Sequence, residues 1–255
     1  MKLLITDLDN TLLRSDKSIS PYTAAVFARC REHGILTAFA TNRSERAMTR
    51  MIEALHPDAI ISNGGSTVKV GNSIVWESLL TTHDTETILN TIRRLSGGAG
   101  LITMEAPDGY YCNFIPWDED RRASSVYTDF IGFSMPAYKI TAELKNHSWA
   151  NDVQAACTSC SFVRFTGEDW HRFGPRDAGK ATALKALAAH LSLSMEDITA
   201  FGDDRNDLDM MEIAGTAVAV ANAIDEVKAI ADYVTACNNE DGVAKYIETH
   251  ILFNR

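Results

Sequence analysis

The chain has 255 residues, 45% of them hydrophobic and 23% charged, enough for one large or two modest domains with a real core. Its formal net charge of −10 and pI near 5.1 argue against a non-specific binder of nucleic acid or of an anionic membrane. An anionic ligand would need a local positive site. No stretch approaches the roughly 20 apolar residues of a membrane span. The opening apolar run is only a strand long before Asp7 breaks it, so no signal peptide is expected. The five cysteines (Cys30, Cys112, Cys157, Cys160 and Cys237) are scattered, and read as free thiols in a reducing cytoplasm, the expected location. Cys157 and Cys160 form a C-x-x-C that no second Cys or His pair completes into a zinc site. They read as small buried residues near a helix end.

The first strand, over residues 3–5, ends in Asp7 and Asp9, which lie two apart and so share a face, with Thr11 beside them. Ser20-Pro21 marks a helix start and Gly34 its stop. A second buried strand, 35–40, ends in Thr41-Asn42-Arg43. A helix over 45–55 leads to a third strand, 59–61, which stops at Ser62-Asn63-Gly64-Gly65. This βαβαβ rhythm with polar strand ends predicts a doubly wound parallel sheet. Residues 68–70 and 74–76, split by Gly71-Asn72, predict a hairpin.

Near Leu80 the rhythm changes. A helix is expected over 84–95, then short strands at 101–104 and 110–114 around the turn Pro107-Asp108-Gly109. A polar helix at 118–130, a strand at 138–141, a helix at 149–156 and strands at 161–165 and 170–173 complete the segment. Hairpin-joined strands flanked by helices predict a separate α+β domain inserted into the first. The boundaries expected are 1–80 with 176–255 for the core and 81–175 for the insertion. In it, Tyr110, Tyr111, Trp117, Trp170 and His171 either line a pocket or, at strand spacing, simply pack the core.

From Asp177 the first rhythm returns. Lys180 opens an Ala- and Leu-rich helix to residue 191. A buried strand at 198–201 ends in Gly202-Asp203-Asp204-Arg205-Asn206-Asp207. A helix over 208–213, a strand at 216–220, a helix at 223–231, a strand at 233–235 and a last helix from Asp241-Gly242 follow.

The polar strand ends Asp7/Asp9/Thr11, Thr41/Asn42/Arg43 and Asp203/Asn206/Asp207, with Lys180, can converge on one crevice of such a sheet. Carboxylates crowded there repel unless a cation is present. Oxygen-only ligands with waters retained suit Mg²⁺. A metal, a Lys, an Arg and a spare carboxylate make up the kit for phosphoryl transfer through a carboxylate nucleophile.

These residues resemble the four motifs of haloacid dehalogenase-like phosphatases: Asp7-Leu8-Asp9-Asn10-Thr11, Thr41, Lys180 and Gly202-Asp203-Asp204-Arg205-Asn206-Asp207. The layout is similar to the Cof-type sugar-phosphatase branch, whose cap domain lies between the second and third motifs. Ala219-Val220-Ala221-Asn222-Ala223 and Glu240-Asp241-Gly242-Val243-Ala244 look like that branch's ending. The resemblance implies a Rossmann-like α/β core with an inserted α+β cap, and a Mg²⁺-dependent phosphatase of small phosphate esters, sugar phosphates foremost. It implies that Asp7 attacks phosphorus and that Asp9 acts as acid–base. Asp7, the Asp9 backbone, Asp203 and Asp207 would serve the metal. Thr41, Asn42, Arg43, Lys180 and Asn206 would stand around the phosphoryl group. Two positions depart from the branch, Asn10 and Asn42 standing where it has Gly; asparagine tolerates the backbone angles such loops need. The rival readings are a phosphomutase on the same scaffold and a catalytically silent metabolite-binding protein. No nucleic acid, membrane or obligate protein partner is expected.

Overall fold

The computed structural model describes residues 2–253 apart from 117–121, 123 and 166. The chain divides into two compact units, Met1–Trp76 with Gly179–Arg255, and Glu77–Ala178.

The first unit is built on an eight-stranded sheet of order β14-β13-β12-β1-β2-β3-β4-β5. Its central strands are β1 (Leu3–Thr6), β2 (Leu36–Ala40), β3 (Ala59–Ser62), β12 (Ile198–Gly202) and β13 (Thr216–Ala219). They pair in parallel, with β1 between β2 and β12. Parallel strands are covered on both faces, which is why their sequences are near-continuous apolar runs rather than alternating ones. β4 (Thr67–Val70) turns back antiparallel to β3, and β5 (Ser73–Glu77) lies at its far side, in keeping with the expected hairpin. β14 is the short strand Tyr233–Val234 at the other edge.

Helices α1 (Pro21–Glu32) and α2 (Thr49–Leu55) connect the first three strands. Ser20 caps α1, its hydroxyl accepting from the Thr23 N–H at 3.0 Å, and Pro21 needs no such bond.

The second unit has a six-stranded sheet of order β10-β11-β9-β6-β7-β8. These are β6 (Ile102–Glu105), β7 (Tyr110–Cys112), β8 (Ser125–Tyr127), β9 (Lys139–Glu143), β10 (Cys160–Arg164) and β11 (Trp170–Pro175). Helices α3 (Thr82–Ser96) and α4 (Trp149–Ala156) pack on the face that carries Ile102, Met104, Ile140, Ala142 and Phe173. This core is separate from that of the first unit. The architecture is thus a doubly wound parallel-sheet α/β core with an inserted α+β domain.

The helix expected over 118–130 is corrected in part. Ser125–Tyr127 form β8, parallel to β7, and Phe130 takes a positive φ of 58°. A β-branched and an aromatic residue favour the strand over the helix that the polar composition suggested. Residues 118–121 and 123 of that expectation lie outside the described residues.

Among the described residues the first unit also holds the α-helices α5 (Lys180–Leu191), α6 (Leu208–Ile213), α7 (Asp225–Ile230) and α8 (Gly242–Tyr246).

Candidate active site

β1 is a switch point: the chain moves outward through β2 and β3 on one side and through β12 and β13 on the other. Ligands of open α/β sheets sit outside the strand carboxyl ends at such a point. Asp7 follows β1 there, its N–H bonded to the Phe201 carbonyl of β12 at 3.0 Å. Thr41 follows β2, its N–H bonded to Ile61 of β3 at 2.9 Å. Asp203 follows β12.

Lys180, the first residue of α5, is only 2% exposed. Its Nζ donates to Asp7 Oδ1 at 2.7 Å and to Asp207 Oδ1 at 2.6 Å. The other oxygen of Asp207 accepts from the backbone N–H groups of Asp203 and Asp204 at 3.0 and 3.2 Å. Thr11 Oγ1 donates to Asp203 Oδ1 at 2.6 Å. Two glycines permit this closeness. A Cβ on Gly202 would stand 2.5 Å from that of Asp207, so only glycine lets Asp207 fold back on β12. A Cβ on Gly65, at φ +96°, would stand 2.4 Å from the backbone of Gly179, the residue that precedes Lys180.

Asp7, Asp203 and Asp207 lie close enough to offer oxygens within 4.8 Å of one another, all three buried. One ammonium faces three carboxyl groups. Burial raises the Asp7 carboxyl, Lys180 pulls it down, and Asp207 with Asp203 push it up again, leaving it well above the usual range. Asp203 is raised to about 7, first by burial and then by Asp207, against the hydrogen bond from Thr11. Burial disfavours the Lys180 ammonium, but Asp207 and Asp7 outweigh it and hold the proton on. The deficit of positive charge and the all-oxygen donor set fit a hard divalent cation. Asn206, next in the chain to Asp207, carries a buried Oδ1 with no protein donor, an acceptor that a metal-bound water would satisfy.

The Asp9 carboxylate is held elsewhere. Arg43 grips it as a fork, Nε to Oδ2 and Nη2 to Oδ1 both at 2.7 Å, and Lys17 Nζ lies 2.8 Å from Oδ1. Burial alone would raise Asp9, but Arg43 and then Lys17 lower it to about 2. The Arg43 guanidinium, expected beside the phosphoryl group, is thus placed on Asp9, with Nη1 on the Ala47 carbonyl at 3.1 Å. Thr41 is buried, and its hydroxyl accepts from the Arg43 N–H at 3.1 Å. Asn10 takes a left-handed φ of 60°, as expected for that loop, whereas Asn42 does not. Lys17 was not legible in the sequence: it stands in a polar loop with no motif around it.

In the inserted domain Tyr110 and His171 are buried, and Tyr111 packs on the local core with its ring 4.9 Å from Phe133. Trp170 lies 5.9 Å from Phe114, ring to ring. Trp117 lies outside the described residues. Cys157 caps the end of α4 and, like Cys160, is buried.

A family model described as haloacid dehalogenase-like hydrolase matches residues 4–247, nearly the whole chain. The chain belongs to the haloacid dehalogenase-like hydrolases. This hydrolase is 28% identical over 270 residues to the 5-amino-6-(5-phospho-D-ribitylamino)uracil phosphatase YitU of Bacillus subtilis (strain 168), with 97% of each chain covered. Its fold is similar to that of a haloacid dehalogenase-like hydrolase from Bacteroides thetaiotaomicron, with a TM-score of 0.84, 24% identity and coverage of 97% and 98%. It is also similar to that of a subclass IIB sugar phosphatase of the superfamily, with a TM-score of 0.81, 19% identity and the same coverage. Family and relatives place this haloacid dehalogenase-like hydrolase among the phosphoric monoester hydrolases.

Proposed function

We propose that this hydrolase is a Mg²⁺-dependent phosphatase of small phosphorylated metabolites, sugar phosphates foremost, acting through an aspartyl-phosphate on Asp7. The observation that carries the reading is the buried Lys180 held between Asp7 and Asp207, with Asp203 alongside, at the switch point of the sheet. Names of the relatives support the substrate class: one acts on a phosphorylated ribityl compound and another is a sugar phosphatase.

Lys180 draws the Asp7 carboxyl down against burial and its acidic neighbours and aims it, and its charge lessens the repulsion between that group and a phosphate dianion. An Asp7 oxygen attacks phosphorus; the new O–P bond forms as the bond to the ester oxygen breaks. Asp9, protonated from solvent once Arg43 and Lys17 release it, passes that proton to the leaving oxygen. Water then attacks the same phosphorus, Asp9 takes the proton from it, and the Asp7 carboxylate is regenerated as phosphate departs. Asp9 lies on Arg43 and Lys17 at rest, so those two cations must yield as the leaving group comes in. Thr41 offers a hydroxyl to the transferred group. Mg²⁺, held by Asp7, Asp203 and the Asp9 backbone with Asp207 in support, would neutralise the charge that collects on the phosphoryl oxygens. The inserted domain is proposed to act as the cap that selects the ester.

The test is phosphate release from a panel of phosphorylated metabolites at low substrate concentration, with Mg²⁺ and with EDTA. Release that needs Mg²⁺ and vanishes in Asp7→Asn supports the reading; release undiminished by EDTA or by that substitution overturns it.

A further inference from the structure

Two asparagines late in the chain take no part in the chemistry above, yet they grip the loop that carries Asp9. Asn10, the next residue, sits in the left-handed region at φ 60°, ψ 2°. Its carbonyl accepts a hydrogen bond from Asn222 Nδ2 at 2.7 Å. Asn222 Oδ1 in turn accepts from the backbone N–H of Asn238 at 2.9 Å. Asn238 is buried and donates through its own Nδ2 to the Leu13 carbonyl at 2.9 Å. Two carbonyls of one loop are therefore held by two side chains, the first of which also accepts from the backbone of the second residue. A primary amide carries donor and acceptor on one rigid plane, which this bridge requires.

The next residues extend the grip. Asn239 and Ser15 exchange hydrogen bonds at 2.9 and 3.0 Å. Arg14 meets Asp241 in a fork, at 3.3 Å through Nε and 2.7 Å through Nη2. That stretch leads to Lys17, whose ammonium flanks Asp9. Asp9 is thus steadied along the backbone by Asn222 and through the side chain by a loop that the same segment holds.

We propose that Asn222 is a positioning residue: by fixing the Asn10 peptide it sets the aim of the Asp9 carboxylate. The inference rests on the phosphatase reading. A left-handed asparagine is costlier than ordinary backbone, so the peptide relaxes once its carbonyl loses the partner. Misplacing a reacting group by about 1 Å costs up to ~10²-fold in rate.

Asn222→Asp is the sharpest probe. It preserves shape and the acceptor for Asn238, but turns an oxygen instead of an N–H toward the Asn10 carbonyl. Asn222 is exposed, so the chain should still fold; Asn222→Ala, which removes the bridge without repulsion, is the second variant, and thermal melts monitor both. The probe substrate is p-nitrophenyl phosphate with Mg²⁺, because nitrophenolate departs without a proton and only the second half-reaction then needs Asp9. Rapid-quench kinetics should show a nitrophenolate burst at the wild-type rate. Steady turnover after it should be ~10–100-fold slower, with phosphorylated enzyme accumulating. Steady turnover within about twofold of wild type in both variants overturns the proposal. So does a burst that slows in step with turnover, which would make Asn222 a general support of the fold. A wild type that releases no phosphate from any ester overturns the phosphatase reading and this inference with it; an active wild type beside unchanged variants overturns this inference alone.

Discussion

Lys180 Nζ lies 2.7 Å from Asp7 Oδ1 and 2.6 Å from Asp207 Oδ1, so a single buried ammonium serves two buried carboxylates. The two partners are not equivalent. Asp207 is tied by its second oxygen to the Asp203 and Asp204 backbone, while Asp7 has an oxygen to spare for chemistry. Removing Lys180 should therefore cost the fold more than removing the Asp7 carboxyl.

Lys180→Met leaves buried carboxylates without their cation. Activity should be lost, and stability should fall by about 3–5 kcal/mol, read from urea denaturation. Asp7→Asn keeps the Lys180–Asp207 pair and removes one of three crowded acids. It should abolish turnover with stability unchanged or raised.

The metal-free protein should lose stability as pH rises. Asp203 titrates at about 7 in the fold against its ordinary 3.8, so between these values the folded state holds a proton that the unfolded chain has released. One such proton is worth up to about 1.4 kcal/mol per pH unit, with stability present at the acid end and lost toward pH 7. Melts in EDTA at pH 5.5 and 7.5 should show a smaller loss in Asp203→Asn than in wild type. Added Mg²⁺ should reverse the trend, because it binds the deprotonated acids.

Asp9 has the opposite sign. Its carboxyl lies at about 2 chiefly because Arg43 opposes the effect of burial, so its ion pairs persist until pH falls through that value. Arg43→Ala should move the acid limb of the kcat profile upward in pH, while Arg43→Lys should keep part of the wild-type position. Asp9→Asn should slow turnover by ~10²–10⁴-fold, with phosphorylated enzyme accumulating in a rapid-quench assay.

Gly65→Ala should harm both fold and site. A methyl group there would meet the Gly179 backbone at 2.4 Å, in a left-handed conformation that alanine resists. The start of α5 would have to move, and Lys180 with it. A loss of roughly 1–3 kcal/mol in stability, and a larger proportional loss in kcat than in KM, is the expected outcome.

The strand ends that build the site were legible because buried parallel strands are apolar throughout and then stop abruptly at polar clusters. Asp7, Thr41 and Asp203 each stand at such a stop. Lys180 could be read because it opens a dense Ala-Leu helix. Partners were not legible. Arg43 and Asp9 are separated by 34 positions, and no local pattern distinguishes an arginine for a phosphoryl group from one for a carboxylate. The bridge from Asn222 to Asn10 spans 212 positions and exists only once β1 and β12 are neighbours. β8 is not legible in the sequence because a three-residue strand is too short to carry a period.

Phosphorylation of Asp7 during turnover is the step on which the proposed mechanism stands. The protein with Mg²⁺ and radiolabelled phosphate ester should be quenched in acid within one turnover, digested and mapped. One labelled phosphoryl group is expected on the peptide that contains Asp7, released by hydroxylamine and absent from Asp7→Asn. Label on another residue, or phosphate release that continues at wild-type rate in Asp7→Asn, would contradict it.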